Sequence, residues 1–296
     1  MLTFIHAADF HLDSAFGALP PGQAAARRRE SRELALRLAD YVKEHGIDLV
    51  LLAGDLFDSA ASYRDTAEEL SAALGQMEAQ VYIAPGNHDF YSPRSIYAGT
   101  RWPENVHIFS TVQVESVELP ALGCVVHGAA FTTPLADRSP LMGFAAPRDG
   151  RTHLMVLHGD VDGRDRYGPI RTEDIASSGL TYLALGHVHA CSGLQRAGGT
   201  WWAYPGCPEG RGFDELGQKG AYLGRITDAG VQLDFLPLPG RKYEILRVDA
   251  GDDALAAVKA ALPERTQDDI YRVILTGDIP SPIHLPTGCR FHTRCA

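Results

Sequence analysis

The fold is decided by residues 47–58, which read Ile-Asp-Leu-Val-Leu-Leu-Ala-Gly-Asp-Leu-Phe-Asp. The first seven residues are almost all apolar and have the length of a buried strand. Helices are predicted on either side, at about residues 23–45 and 63–79, and further apolar strands lie beyond them, at 2–8 and 81–84. Strands that alternate with helices in this way predict a parallel sheet covered by helices. The glycine and the two carboxylates after the strand therefore lie at the carboxyl edge of that sheet.

The same arrangement, an apolar run followed by residues that bind metals, occurs five times in the first two-thirds of the chain. The five clusters are Asp9-Phe10-His11, Gly54-Asp55-Leu56-Phe57-Asp58, Gly86-Asn87-His88-Asp89, His158-Gly159 and Gly186-His187-Val188-His189. Because strand ends converge in a folded sheet, residues far apart in sequence can surround one site. Carboxylate, carboxamide and imidazole groups in this number suit two divalent ions, such as Mn²⁺, Fe²⁺ or Zn²⁺, better than one. The sequence therefore predicts metal-dependent hydrolysis.

Two of these residues have chemistry that a pair of ions requires. Asp55 is the candidate bridge, because a carboxylate has two oxygens and can bind both ions. Asn87 offers a neutral oxygen and so limits the crowding of negative charge. A phosphodiester resists hydrolysis because its negative charge repels nucleophiles. Two metal ions overcome this repulsion, since they hold a bridging hydroxide at neutral pH and offset the charge of the phosphate. The glycines before Asp55, Asn87 and His187 permit tight turns that direct these side chains inward.

Composition narrows the class of protein further. With 296 residues, 45% of them hydrophobic and 22% charged, the chain is typical of a large globular domain with a small addition. The formal charge of −10 argues against a general nucleic-acid coat but not against a nuclease, since bound cations would offset site carboxylates. Five scattered cysteines, the absence of a signal sequence and the absence of a membrane-length apolar run predict a cytoplasmic protein.

After Pro103 the predicted helices become rare and strands follow one another closely. We expect these later strands, from 106–109 to 231–236, to form a second, mainly antiparallel sheet packed on the first. Pro237-Leu238-Pro239-Gly240 marks a boundary, beyond which strand, helix and strand are predicted. The expected organisation is a catalytic domain over residues 1–238, a partial α+β cap over 239–276 and a Pro- and Cys-containing tail over 277–296.

The five clusters together match, at every position, the D-x-H, G-D-x-x-D, G-N-H-[DE], H and G-H-x-H signature. The chain thereby resembles the calcineurin-like metallophosphoesterase superfamily over about residues 3–240. The resemblance implies a four-layer αββα sandwich of two mixed sheets. Within the superfamily the chain is most similar to DNA repair exonucleases of SbcD type. That narrower similarity rests on 6–13, on 54–58, and on Tyr204-Pro205-Gly206-Cys207-Pro208-Glu209-Gly210-Arg211-Gly212-Phe213.

The resemblance also assigns roles to individual positions. It implies one metal ion held by Asp9, His11, Asp55 and His189. It implies a second held by Asp55, Asn87, His158 and His187. His88 would protonate the leaving oxygen or stabilise its developing charge. Asp58 would orient His88, the alternative for Asp58 being a helix N-cap. Both ions are expected to be Mn²⁺.

Other polar residues near the clusters have weaker assignments. Tyr91, Arg94 and Arg211 are candidates to contact substrate. Asp89 is expected to hydrogen-bond within its loop. The arginines at 27–29 and 32 could contact phosphates, but a solvated helix face on which they pair with Glu30 and Glu33 explains them better. His6, His127 and His153 lie inside apolar strands and are interpreted as hydrogen-bonded core residues.

The tail resembles a family other than the metallophosphoesterases. Residues 277–282 and 288–295 look like the C-terminal extension of oligopeptide ABC-transporter ATPases. The chain has no phosphate-binding G-x-x-x-x-G-K-[ST] loop, so it is not such an ATPase. We interpret the tail as a join that replaces the rest of the cap.

The sequence therefore predicts a Mn²⁺-dependent DNA exo/endonuclease of SbcD type that acts in DNA repair. By resemblance its partners would be DNA and an SbcC-like coiled-coil ATPase, with homodimerisation possible and no membrane association. One alternative is a phosphoesterase of the same fold that acts on a small phosphodiester, nucleotide or phosphoprotein. A second alternative is a partner-binding regulatory subunit with weak catalysis.

Overall fold

The computed structural model describes residues 1–59, 62–163, 166–238, 240–251, 253–264 and 266–277. The chain forms two compact units. The first contains Met1–Glu209 and Lys219–Gly240, and the second contains Gly210–Gln218 together with the chain from Arg241. The predicted tail at 277–296 lies outside the described residues, except for Gly277.

The first unit alternates strands and helices in its first third and consists mainly of strands afterwards. Its elements are β1 (Leu2–Ala7), α1 (Pro21–His45), β2 (Leu49–Leu52), α2 (Arg64–Gly75), β3 (Gln80–Ile83), α3 (Ile96–Gly99), β4 (Val106–Ile108), β5 (Glu115–Leu119), β6 (Cys124–Gly128), β7 (Thr152–His158), α4 (Thr172–Ser177), β8 (Tyr182–Gly186), β9 (Gln195–Ala197), β10 (Thr200–Ala203), β11 (Gly220–Thr227) and β12 (Gly230–Pro237). A 3₁₀ turn spans Pro120–Leu122.

These strands form two mixed sheets of six strands each. The first has the order β12-β11-β1-β2-β3-β4, with β1 to β4 parallel, and the second has the order β5-β6-β7-β8-β10-β9. Their facing sides bury one apolar layer, which includes Phe4, Tyr82 and Tyr182. The outer side of the first sheet packs on α1 and α2, and the outer side of the second buries Ile175 of α4. The layers confirm the predicted sandwich of two mixed sheets covered by helices.

The predicted distribution of strands between the sheets was wrong in two respects. β4, β11 and β12 belong to the first sheet, where β11 pairs antiparallel with β1 and brings Gly224 opposite Phe4. The second sheet is not mainly antiparallel, because β6, β7, β8 and β10 run parallel. Both sheets therefore have parallel central strands, and it is the carboxyl ends of such strands that form binding sites.

Helix α1 shows how local sequence fixes one of the outer layers. Pro21 stands at its first turn, where the missing N–H costs nothing, and Gly46 ends it in the left-handed conformation with φ 59°. Leu34, Leu38 and Val42 recur at helical spacing and are buried against the first sheet.

The second unit is a small β-α-β arrangement. It comprises β13 (Tyr243–Asp249), α5 (Ala254–Ala261), a 3₁₀ turn at Thr266–Asp268 and β14 (Ile270–Thr276). β13 and β14 pair in parallel. The sequence placed residues 210–218 in the catalytic domain, but they pack in this unit, where the Gly217 N–H donates to the Tyr243 carbonyl. The Arg272 guanidinium lies 4.0 Å above the Phe213 ring.

No helix among the described residues is both long enough and apolar enough to span a membrane.

Candidate metal centre

The five clusters meet at the carboxyl edges of the two sheets, and their loops bond to one another there. The N–H of Asp9 donates to the Gly54 carbonyl at 3.0 Å, and the N–H of His11 donates to the Asp55 carbonyl at 2.9 Å. The N–H of His187 lies 3.1 Å from both carboxylate oxygens of Asp9. This last contact joins the edge of the second sheet to that of the first.

Four residues of these loops adopt a backbone conformation that side chains rarely take. The φ angles are 56° at Asp9, 45° at His11, 50° at Asp55 and 107° at His187. Non-glycine residues in this region cost of order 1–3 kcal/mol each and cluster at functional sites. Three other described non-glycine residues, Asp13, Phe16 and Asp162, share this conformation, but four of the seven are predicted metal ligands, which favours a functional reason for the loop shapes.

Two glycines are required because the loops approach so closely. A Cβ at Gly54 would lie 2.6 Å from Nδ1 of His158, and a Cβ at Gly86 would overlap the carboxylate of Asp55. Glycine therefore makes room for the neighbouring site residues as well as permitting the turn.

The first group of ligand atoms surrounds the imidazole of His11. Its Nε2 atom lies 3.3 Å from Nε2 of His189 and 3.8 Å from Oδ2 of Asp55. The His189 nitrogen is in turn 3.9 Å from Oδ1 of Asp9. The nitrogens and oxygen of Asp9, His11 and His189 all lie within 4.8 Å of one another, which is close enough to share one ion.

The second group surrounds His158, at the end of β7. Its Nε2 atom lies 3.0 Å from Oδ1 of Asn87 and 3.4 Å from Oδ2 of Asp55. Ligand atoms of Asp9, Asp55 and His158 also lie within 4.8 Å of one another. Oδ2 of Asp55 is thus close to imidazoles of both groups, the position that a bridging carboxylate needs.

His187 lies beside the second group but at its margin. Its ring centroid is 5.2 Å from that of His158 and 5.2 Å from that of Tyr167. It is not among the described residues whose ligand atoms cluster within 4.8 Å, so its place as a metal ligand stays a prediction. Burial, with the neighbouring His158, lowers the pKa of His187 to about 4, which keeps the imidazole neutral as a ligand requires.

The charges of the cluster indicate that it accommodates cations. Asp9 and Asp55 are 1% and 2% exposed, and neither forms a salt bridge with a described lysine or arginine. Burial raises the pKa of Asp9 to about 7, although His158 opposes the shift. Burial alone would lower the pKa of His158, but the charge of Asp55 reverses this and raises it to about 9. Buried carboxylates such as these need positive charge nearby. The donor set therefore fits divalent ions.

His88 contacts the main chain of Asp58, and ligand atoms of Asp58, His11 and His88 lie within 4.8 Å of one another, so the role of the Asp58 carboxylate in orienting His88 stays a prediction. Nδ1 of the exposed His88 lies 3.2 Å from the main-chain carbonyl oxygen of Asp58, whereas the Asp58 carboxylate lies 3.2 Å from Nδ1 of His11. The carbonyl therefore contacts His88, and the carboxylate is also positioned to orient the candidate ligand His11. The His88 ring centroid is 4.8 Å from that of His11, which places the proposed acid at the edge of the cluster.

Asp89 connects the loops after β2 and β3. Fully buried, it accepts hydrogen bonds from the N–H groups of Gly86, Asp55, Leu56 and Phe57, and from the Tyr97 hydroxyl at 2.5 Å. This confirms the predicted hydrogen-bonding role. The partner Tyr97 was missed, because nothing local marks a helix tyrosine as part of a site. Burial and the charge of Asp55 raise the pKa of Asp89 to about 6.

The candidate substrate residues are scattered. Tyr91 is half-buried against the first apolar core, and Arg94 is exposed in the same loop. Arg211 belongs to the second unit, where it forms a salt bridge with Glu215 at 3.0 Å. Their contact with substrate stays a prediction.

The arginines of α1 are paired with carboxylates. Arg27 is 4% exposed and forms salt bridges with Glu30 and Glu209, both at 2.5 Å. Arg29 lies 3.9 Å from Glu33. The predicted pairing with glutamates of the helix is confirmed for these two arginines, but the expectation of a solvated face was wrong for Arg27, which is buried and also pairs with Glu209.

The three strand histidines are core residues, as predicted. His6 is hydrogen-bonded to the Tyr182 hydroxyl and the Leu185 carbonyl, and His127 and His153 are hydrogen-bonded to each other at 3.0 Å. All three are at most 3% exposed.

Comparison with known families agrees with this geometry. Residues 2–191 match the calcineurin-like phosphoesterase family, and the chain therefore belongs to that family of hydrolases acting on phosphoester bonds. It is 33% identical over 269 residues to YhaO of Bacillus subtilis, an uncharacterized metallophosphoesterase, in an alignment covering 86% of this chain and 64% of the relative. It is 28% identical over 271 residues to the DNA double-strand break repair protein Mre11 of Aeropyrum pernix, covering 84% and 64%.

The chain thus spans about 64% of the length of these curated relatives. One solved structure superposes with a TM-score of 0.52 at 13% identity, over 78% of this chain and 98% of that one, which supports the fold alone.

Proposed function

We propose that this protein is a Mn²⁺-dependent nuclease of SbcD type that hydrolyses DNA phosphodiesters in DNA repair. The observation that carries the proposal is the position of the Asp55 carboxylate, whose Oδ2 atom lies 3.8 Å from His11 and 3.4 Å from His158. Two ligand groups that share one buried carboxylate suit a pair of ions. The similarity to Mre11 supports DNA as the substrate.

The proposed ligands divide between the two groups. Asp9, His11, Asp55 and His189 would hold one ion, and Asp55, Asn87, His158 and His187 would hold the other. Such a pair, when bound, supplies a hydroxide nucleophile at neutral pH and offsets the charge on the phosphate.

The remaining site residues support this arrangement. His88 is exposed at the edge of the cluster, and its Nδ1–H donates to the Asp58 carbonyl, so that Nε2 is left to donate a proton to the departing oxygen. The Asp58 carboxylate orients His11, and Asp89 holds the two loops that bear Asp55 and Asn87.

The test is hydrolysis of linear duplex and single-stranded DNA by the purified chain with Mn²⁺, and with Mg²⁺, Zn²⁺ or chelator in parallel. His88→Ala and Asp55→Asn are the inactive controls, and His45→Ala, at an exposed helix end, is the matched active control. We expect Mn²⁺-dependent cleavage that both site variants lose. Failure to cleave DNA, together with good hydrolysis of a small phosphodiester, would contradict the DNA part of the proposal.

One observation favours a small phosphoester as a second candidate substrate. The chain has a formal charge of −10, and polynucleotide binding usually relies on positive charge. A substrate with one phosphate would show little dependence of KM on salt, whereas DNA would show a steep one. Measuring KM between low and physiological salt separates the two candidates.

The proposed assembly is a homodimer that binds an SbcC-like coiled-coil ATPase. It rests on the resemblance of the sequence to SbcD-type proteins. Light scattering of the purified chain, alone and with such an ATPase, tests it.

A further inference from the structure

We infer that a cavity beside His158 binds the base of a nucleotide next to the scissile phosphate. This inference rests on the proposed function and gives its substrate class, a phosphodiester that carries a nucleobase. The cavity lies between the loop at residues 129–140 and the end of β7, and its volume is about 160 Å³. His158 belongs both to its wall and to the second ligand group.

The size and lining of the cavity suit one flat ring. An apolar cavity of ~150 Å³ admits benzene, so this one accommodates a six-membered base. Its apolar wall consists of Val112, Phe131, Leu135, Pro140 and Leu157. Phe131 supplies an aromatic ring, and stacking on such a ring binds bases with little dependence on their sequence.

Phe131 also connects the cavity to the metal centre. Its ring stands edge-on to that of His158, with the centroids 5.7 Å apart at 86°. The Phe131 N–H donates to the Pro85 carbonyl, directly before the Gly86-Asn87-His88 loop. A base against Phe131 would therefore keep its own phosphate close to the cluster.

The rim of the cavity has the polar groups that a nucleotide needs. Thr132 and Thr133 line it beside exposed Arg138. Asp137, the carboxylate next to Arg138, pairs with Arg166 instead, and no described carboxylate forms a salt bridge with Arg138. Its guanidinium is thus available for a neighbouring phosphate.

The rim also exposes apolar surface. Val112 and Leu135 are 48% and 41% exposed although both line the cavity. Large apolar side chains at the mouth of a concave site are typical of ligand binding. They are also positions where a larger residue can close the cavity without disturbing the core.

The experiment compares two esters with the same leaving group, thymidine 5′-(4-nitrophenyl) phosphate and its abasic deoxyribose analogue, with Mn²⁺. We expect kcat/KM to favour the thymidine ester about five-fold or more, the lower end of what stacking one base contributes. Val112→Trp and Leu135→Trp should each bring the ratio close to one by lowering kcat/KM for the thymidine ester. Met142→Trp is the matched control, since Met142 is 46% exposed and does not line the cavity.

Arg138→Gln tests the rim separately. It should reduce the slope of log affinity against log salt for a short single-stranded oligonucleotide by about 0.7, the loss of one phosphate contact.

Three outcomes would overturn the inference, and they are distinguishable. Equal kcat/KM for the two esters in the unmodified protein, or a thymidine preference that survives both tryptophan substitutions, removes the base site and leaves phosphodiester hydrolysis standing. Hydrolysis of neither ester with any divalent ion contradicts the proposed function itself, and the base site with it.

Discussion

Nδ1 of His158 lies 2.9 Å from the main-chain carbonyl oxygen of Ala53, which directly follows β2. Because a carbonyl only accepts hydrogen bonds, Nδ1 carries a hydrogen, which leaves Nε2 as the nitrogen that faces the oxygens of Asn87 and Asp55 and that would bind an ion after losing its proton. The backbone of the first sheet thus sets the tautomer of a proposed ligand on the second sheet.

Replacing His158 by alanine should remove one of the two bound ions. The substitution deletes the nitrogen that faces both Asn87 and Asp55 and leaves the His11 group unchanged. Metal analysis after equilibration with Mn²⁺ should give one ion per chain instead of two, and hydrolysis of DNA should be lost. His45→Ala should keep both ions. Two tightly bound ions in the His158→Ala protein would contradict the assignment.

Replacing Asp58 by asparagine should weaken metal binding more than it weakens proton donation. The substitution removes the carboxylate beside Nδ1 of His11 but keeps the main-chain carbonyl that His88 contacts. Loss of such a partner reduces metal affinity about 10- to 100-fold. Titration calorimetry with Mn²⁺ measures the affinity. If saturating Mn²⁺ failed to restore kcat, Asp58 would act through His88 after all.

Replacing His88 by alanine should slow hydrolysis in proportion to the basicity of the leaving group. General acid catalysis contributes about 10²- to 10⁴-fold when the departing oxygen needs a proton. We expect a loss of that size with DNA and a much smaller loss with a 4-nitrophenyl ester, at unchanged Mn²⁺ affinity. Equal losses on both substrates would show that His88 does not donate the proton.

Replacing Tyr97 by phenylalanine should destabilise the fold, because Asp89 loses its hydroxyl donor at 2.5 Å. Hydrogen bonds to charged groups contribute about 1.5–3 kcal/mol. Denaturant unfolding should show a loss of this size in the free energy of unfolding. Tyr41→Phe is the control, because no described residue accepts a hydrogen bond from the Tyr41 hydroxyl. An equal effect of both substitutions would mean that the hydrogen bond to Asp89 does not contribute to the free energy of unfolding.

The buried His6 should make the protein less stable in acid. Burial lowers the pKa of His6 to about 3, against 6.5 when unfolded. The unfolded chain therefore takes up the proton first, so the stabilisation is complete above pH 6.5 and is lost as pH falls towards 3. Between pH 6.5 and 4.5 this amounts to about 2 kcal/mol. His6→Gln should flatten the pH dependence of the unfolding free energy by that amount. An unchanged slope would show that another group dominates.

The sequence predicted the site better than it predicted the pairing of the strands. Each cluster is local, since an apolar run followed by Asp or His predicts a strand end wherever the strand lies. Pairing is not local: Gly224 lies opposite Phe4 only because the folded chain brings them together, and a Cβ at Gly224 would overlap the Phe4 ring. The sequence therefore assigned β11 to the wrong sheet.

Side-chain direction was also beyond the sequence. The resemblance implied that Asp58 and His88 meet, but only the folded loop shows that the Asp58 carbonyl contacts His88 and that the Asp58 carboxylate lies 3.2 Å from His11. The cavity beside His158 could not be predicted either, because its walls come from four separate segments.

The proposed ligands come from both halves of the sandwich, since Asp9, Asp55 and Asn87 follow strands of one sheet whereas His158, His187 and His189 end or follow strands of the other. A divalent ion held between them would be a ligand of the native state alone. Its concentration should then govern the melting temperature, which is expected to climb with free Mn²⁺ by mass action and to drop when a chelator is added. The melting temperature would therefore measure occupancy of the metal site even in a variant that has lost catalytic activity.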